Sequence, residues 1–121
     1  MALASILREH EDAIVKEWIR RLHESTSQRY GDRPLEELHA TVSMANAGSH
    51  AVLVNNDYSL INRHIEWITR LRLEGGFSLS EVQSAYELYR TILVPILLKE
   101  LSGNELLATM NKLNECLFYT T

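Results

Sequence analysis

The side chains best able to bind a cofactor in this chain are its histidines. There are five of them in 121 residues: His10, His23, His39, His50 and His64. His10 lies between Leu7 and Ile14 on an apolar stripe at helical spacing, and His64 lies on the flank of another such stripe, so both are predicted to point inward. An inward histidine beside an apolar slot is what a globin-like pocket needs to hold haem. The commoner alternative is a core imidazole that bonds a neighbouring polar group. The other three histidines lie nearer polar faces and are expected to be solvated.

A second set of residues has the chemistry of a small-molecule pocket. Its members are Tyr86, Tyr89, Met44 and Met110. Amphipathic rings and flexible thioethers suit irregular cavities, although core packing explains the same residues. Trp18 and Trp67 are predicted to anchor their helices in the core. Cys116 is predicted to be a small buried hydrophobic residue. A redox role is the less favoured alternative, because Lys112 is the one basic residue near it in its helix.

No catalytic or metal-binding motif stands out in the sequence. It contains no Gly-rich phosphate loop, paired-cysteine zinc spacing, nucleophile elbow or His-Glu-x-x-His motif. We therefore expect neither an enzyme nor a metal site. The net charge of −4 and the scattered Lys and Arg residues offer no basic stripe for nucleic acid. The one cysteine suits a reducing compartment. The longest apolar run, from Ile92 to Leu98, is far below the roughly 20 residues of a membrane span, and no signal peptide is evident. A cytoplasmic chain that binds neither nucleic acid nor membrane is expected.

Apolar residues at three- and four-residue steps predict an all-α fold. The first predicted helix runs from Leu3 to about Arg29, and the second follows Pro34 after a Tyr-Gly-Asp-Arg stop. Within the second helix, Gly48 and Ser49 mark a point where the helix bends or admits a close neighbour.

Turn and capping signals delimit three more helices. The third is predicted to follow Asn55-Asn56-Asp57 and to end at Gly75-Gly76. The fourth opens with a capping box, in which the side chains of Ser78 and Glu81 each bond the backbone amide of the other residue. Pro95 is expected to kink this helix. A second capping box, over Ser102–Glu105, opens the fifth.

The predicted architecture is therefore a five-helix bundle, with a globin-like arrangement as one form of it. Residues 1–121 fit one domain with a single core. The last helix reaches the final residue without a stop signal, so we expect the chain to be the N-terminal part of a longer signalling protein.

One segment of the sequence resembles a known family. The run from Arg70 to Val82, with its Gly-Gly-Phe-Ser-Leu-Ser-Glu core, is similar to the RsbRD N-terminal domain family of the RsbT co-antagonist type. The opening helix around His10 and Trp18, and Leu113-Asn114-Glu115 near the end, also resemble that family. The resemblance implies a helical sensory domain, with a globin-like arrangement as one form of it, upstream of an effector. The effector is a STAS domain in stressosome proteins and a histidine kinase or transcriptional regulator elsewhere. Related stressosome input domains are non-haem globin relatives that dimerise. The family supplies no catalytic residue.

Three functions are consistent with these observations. The preferred one is a sensory, dimerising domain that relays ligand or partner binding to a C-terminal effector, with the first or last helix in the dimer interface. It needs no cofactor. The second is a haem-binding gas or redox sensor that uses His10 or His64. The third is a pure protein–protein interaction module that senses nothing itself.

Overall fold

The computed structural model describes residues 2–24 and 33–120. These residues form six α-helices: α1 (Ala2–Glu9), α2 (Glu11–His23), α3 (Leu35–Asn55), α4 (Ser59–Glu74), α5 (Leu79–Glu100) and α6 (Gly103–Thr120). They contain no β-strand. The all-α prediction is confirmed, whereas the count of five helices is wrong. The globin-like arrangement stays a prediction. The predicted end of the first helix, from residue 25 to the stop at residues 30–32, lies outside the described residues.

The extra helix arises because the predicted first helix is interrupted at His10. The backbone there has φ −97° and ψ 5°, and α2 begins at the next residue. The carbonyl of His10 still accepts the amide of Ile14. The helical hydrogen bonds therefore resume directly after the bend. Glu11 and Asp12 occupy the first turn of α2, where acidic side chains interact favourably with the positive end of a helix. The apolar stripe extends through both helices, and for this reason the sequence pattern does not show the interruption.

Helix α3 is the centre of the fold, since α1, α2, α4 and α6 all pack against it. The closest of these approaches is to α4. A Cβ atom at Gly48 would lie 3.0 Å from both the Cα and the Cδ1 atoms of Ile61. The predicted close neighbour at Gly48 is thereby confirmed, and its identity is the backbone of α4.

The turns between helices follow the predicted signals. Asn56 ends α3 in the left-handed conformation, with φ 56°, and the Asp57 carboxylate accepts the amide of Ser59 at the start of α4. Before α5, the Ser78 hydroxyl accepts the amide of Glu81 and the Glu81 carboxylate accepts the amide of Ser78. This reciprocal pair is the predicted capping box. Helix α6 begins directly after Ser102, also as predicted.

The core draws on every helix, but one predicted anchor is not part of it. Trp18 is buried and its indole N–H donates to the carbonyl of Ala85. Trp67, in contrast, is 41% exposed. The prediction for Trp67 is wrong because Ile61, His64 and Ile68 define the buried face of α4, and position 67 lies to one side of it. Helix α5 continues through Pro95. In the part of the chain that the structure describes, no helix is both long and apolar enough to cross a membrane.

Candidate functional site

The first candidate site is a small, partly open cavity lined by residues of α2, α3, α4 and α5. Its volume is about 30 Å³. The lining residues are Trp18, Leu22, Thr41, Val42, Ala45, His64, Ile68, Arg72, Val82, Ala85 and Tyr86. A space of this size holds about one water molecule, whereas pockets for drug-sized ligands occupy roughly 300 Å³ or more. The walls are mainly apolar, with five residues whose side chains carry polar groups suitable for hydrogen bonding.

His64 is the most unusual of these residues, because it is only 2% exposed. Its ring makes edge contacts with Trp67 and Tyr86, at centroid distances of 6.1 and 5.7 Å. Burial and, to a smaller extent, the positive charge of Arg72 together lower the pKa of His64 to about 4. The imidazole is therefore neutral at neutral pH. Its Nδ1 atom has no hydrogen-bond partner among the described residues.

Arg72 brings a fully buried cation to the same cavity. Its Nη1 donates to the Glu37 carboxylate at 2.8 Å, and its Nη2 lies 3.5 Å from the Thr41 hydroxyl. The guanidinium also lies over the ring of Phe77, 5.1 Å from its centroid. Such pairing is what makes a buried charge tolerable. The arrangement combines a paired cation, a neutral imidazole and a hydroxyl in one mainly apolar pocket.

The sequence interpretation missed Arg72, although a signal for it exists. Ile61, His64, Ile68 and Arg72 follow one another at steps of three, four and four, so they share one face of α4. Two members of that face are apolar and fully buried, which places the histidine and the arginine inward as well. Arginine is usually a surface residue, and for that reason the predicted buried face of this helix did not include position 72.

Of the predicted site residues, the structure brings only His64 and Tyr86 to this cavity. Tyr89 is buried elsewhere, with its ring stacked on Trp18 at 5.1 Å, and burial raises the pKa of its hydroxyl. Met44 and Met110 are partly buried and do not line the cavity. This cavity therefore does not bring the four predicted pocket residues together.

His10 lies away from the cavity, and its predicted inward orientation is wrong. Because the chain turns at this residue, the side chain reaches the surface, where its Nε2 atom lies 3.2 Å from the Glu100 carboxylate. Glu9 completes a partly exposed group of three, whose ligand atoms lie within 4.8 Å of one another. The two predicted haem ligands are thus in different environments, and the 30 Å³ beside His64 is too small for a haem. We assign no metal to the surface group, because exposed carboxylates often lie this close without one.

Cys116 is buried, as predicted. Burial raises the pKa of its thiol, and a hydrogen bond with Ser49 only partly offsets this. The protonated, enclosed thiol is unreactive at neutral pH because thiolate is the nucleophilic form. This environment favours the packing role.

The second candidate site is a solvent-exposed face of α6, which we call the α6 face. It consists of Leu107, Asn111, Asn114 and Phe118, at steps of four, three and four. Leu107 is 61% exposed and Phe118 is 85% exposed. None of the four is charged, and the Asn114 side chain accepts a hydrogen bond from Arg90 of α5. An exposed aromatic ring on a face with few charges has the composition of a protein interface.

Comparison with known families identifies the chain. The family model for the RsbT co-antagonist protein RsbRD N-terminal domain matches residues 12–117. The chain belongs to this family. The matched region contains nearly all of α2, the whole of α3 to α5, and three of the four residues of the α6 face, since Phe118 lies one position beyond its end. Membership of the RsbRD N-terminal family places the domain among stressosome-type signalling input domains. No significant match was found among curated proteins or among solved structures.

Proposed function

We propose that this RsbRD N-terminal domain is a non-catalytic sensory domain of a bacterial signal-transduction protein. It dimerises through the α6 face and relays ligand or partner binding to a C-terminal effector. The effector is a STAS domain, a histidine kinase or a transcriptional regulator. The observation that carries the proposal is the spacing of the four residues on the α6 face.

That spacing is self-complementary. When two α6 helices pack antiparallel about a twofold axis midway between positions 112 and 113, Leu107 of one chain faces Phe118 of the other. Asn111 then faces Asn114, and side-chain amides carry both donors and acceptors. A twofold interface requires the same patch on both chains. The four residues meet this requirement in one register.

The charges around the face are compatible with this pairing. Lys112 lies beside the face and is engaged within its own chain, since its ammonium group is 3.3 Å from the Glu115 carboxylate. Glu115 also accepts a hydrogen bond from the Tyr58 hydroxyl of α4. A second copy therefore meets apolar and amide groups at the centre and already paired charges at the edge, as in protein interfaces generally.

A relay through this interface depends on two packing arrangements of the dimer. A signal shifts the equilibrium between them only by the difference in its affinity for the two. Helix α6 contacts both α3 and α5, and these helices line the cavity beside His64. A change in cavity packing therefore has a short route to the dimer interface. A haem sensor receives no support from a cavity of about 30 Å³.

Light scattering on four variants tests the register. Leu107→Glu and Phe118→Lys should each convert the dimer to a monomer, because each places a charge against an apolar side chain. The combined variant should recover the dimer, since each glutamate then faces a lysine of the other chain. Leu73→Glu, at an exposed leucine of α4, is the matched control and should remain dimeric. Circular dichroism confirms that all four variants are folded.

Two results would count against the proposal. A monomeric wild-type chain at 100 μM, a concentration at which weak dimers still form, would remove the dimer. Single variants that remain dimeric, or a folded double variant that stays monomeric, would show that a different surface pairs the chains.

A further inference from the structure

We propose that the cavity beside His64 is a binding site for a neutral, protic molecule of one to three non-hydrogen atoms. The binding site is argued from the cavity itself. Its role as the input of the domain rests on the proposed function. A small amide or hydroxyl compound belongs to this class.

The requirement for a protic group comes from His64. Its Nδ1 atom is buried and has no hydrogen-bond partner among residues 2–24 and 33–120. A buried polar atom without a partner is a standing cost to the fold, and a ligand that supplies the missing bond removes it. The neutral imidazole either accepts or donates at Nδ1, depending on its tautomer. A hydroxyl or a primary amide can bond to either form, whereas an aprotic molecule can bond only to one.

The requirement for neutrality comes from Arg72 and Glu37. The buried guanidinium repels a cation that enters the cavity. An anion gains little from the guanidinium, because Glu37 already pairs with it at 2.8 Å, and it must lose its own hydration in an apolar enclosure. A neutral molecule leaves this ion pair intact. It can also reach the Thr41 hydroxyl, which lines the same space.

The size limit comes from the volume of about 30 Å³. A water molecule needs about 10–15 Å³ by a comparable measure, and a cavity that binds benzene has about 150 Å³. One to three non-hydrogen atoms fall within this interval. Leu22, Val42 and Ile68 line the apolar side and can pack against a single carbon group.

The cavity is also well placed to influence the dimer. Tyr86 contacts His64 and belongs to α5. One turn further along α5, Tyr89 lies near the Cys116 thiol of α6. Occupancy of the cavity therefore bears on α6, the helix that carries the α6 face.

The test uses two probes of equal size. Formamide and acetonitrile each have three non-hydrogen atoms, but only formamide is protic. In the intact chain, formamide should shift the His64 Nδ1 resonance in nitrogen NMR spectra and reach saturation. Acetonitrile should bind about tenfold more weakly. Ammonium and formate, as charged probes, should also bind about tenfold more weakly than formamide.

Two variants locate the site. His64→Leu removes the imidazole, and Ala45→Leu fills the cavity while it retains the imidazole. Both should abolish the saturable shifts of neighbouring backbone amides, and either one suffices if the other does not fold. Similar affinity for formamide and acetonitrile, no saturable shift in the wild type, or shifts that persist in a folded variant would overturn the proposal. A cavity that holds only water would give no saturable shift in the wild type.

Light scattering on the same samples separates this proposal from the proposed function. A monomer that binds formamide through His64 would leave the site standing and remove the dimeric sensor. A dimer that shows no saturable shift would leave the proposed dimer standing and remove the binding site.

Discussion

Replacing His64 with glutamine is expected to flatten the dependence of folding stability on pH between pH 7 and pH 5. In the folded chain the pKa of His64 is lowered to about 4, from an ordinary value of 6.5. The unfolded chain therefore binds more protons than the folded chain in this interval, and stability falls as the pH falls. The stabilisation is fully present above pH 6.5 and is lost progressively toward pH 4.

The magnitude follows from the difference between the two pKa values. At about 1.4 kcal/mol for each pH unit, the full effect is about 3 kcal/mol. About 2 kcal/mol of this is expected between pH 7 and pH 5. The cause is burial between α2, α3, α4 and α5, together with the Arg72 charge, which Glu37 partly neutralises. Tyr86, the other titratable group that contacts the imidazole, is a phenol and stays neutral throughout this range.

Urea unfolding at constant ionic strength, followed by circular dichroism from pH 7 to pH 5, gives the required free energies. The wild type should lose about 2 kcal/mol more than His64→Gln over this range. His39→Gln, at an exposed histidine of α3, is the control and should track the wild type. Glu17, whose pKa the Arg20 and Arg21 side chains lower to about 2, loses its interactions only below this range. Parallel curves for the wild type and His64→Gln, or an NMR titration midpoint near 6.5 for His64, would refute the reasoning.

Two further predictions concern packing and charge. Gly48→Ala should lower the free energy of unfolding by about 1–2 kcal/mol, because the strain of a Cβ atom 3.0 Å from the Ile61 backbone exceeds the gain in helix propensity. Gly75→Ala, where the nearest contact is 3.4 Å, should change it by less than about 0.5 kcal/mol; equal effects in urea unfolding would refute the close approach. Glu37→Gln should cost about 3 kcal/mol, because it removes the negative charge that Glu37 places beside the buried Arg72. A change below about 1 kcal/mol would show that solvent screens this pair.

Local signals predicted the helices well because they act within a few residues. The Ser78–Glu81 capping box and the turn at Asp57, whose carboxylate accepts the amide of Ser59, depend on side chains that bond nearby backbone, and the structure shows both. The interruption at His10 was not predictable in this way. The apolar residues before and after it continue one stripe, and the turn depends on how two short helices meet α3.

The candidate site was less accessible from the sequence than the fold. A histidine on a helix flank indicated that His64 points inward, and the structure confirms it. Arg72 shares a helix face with His64, but its counter-charge, Glu37, lies 35 positions earlier in the chain and gives no local signal of the pairing. The α6 face was missed for a related reason. The sequence pattern predicts Leu107 and Phe118 as core residues. Only the packing of α6 on α3 and α5 shows that they face outward.

The mass of the intact chain in solution tests the central claim most directly. Sedimentation equilibrium should give twice the 13.9 kDa of a single chain, and Leu107→Glu should reduce it to the monomer value while Leu73→Glu does not. A wild-type mass equal to one chain, or a Leu107→Glu variant that remains a dimer, would contradict the account.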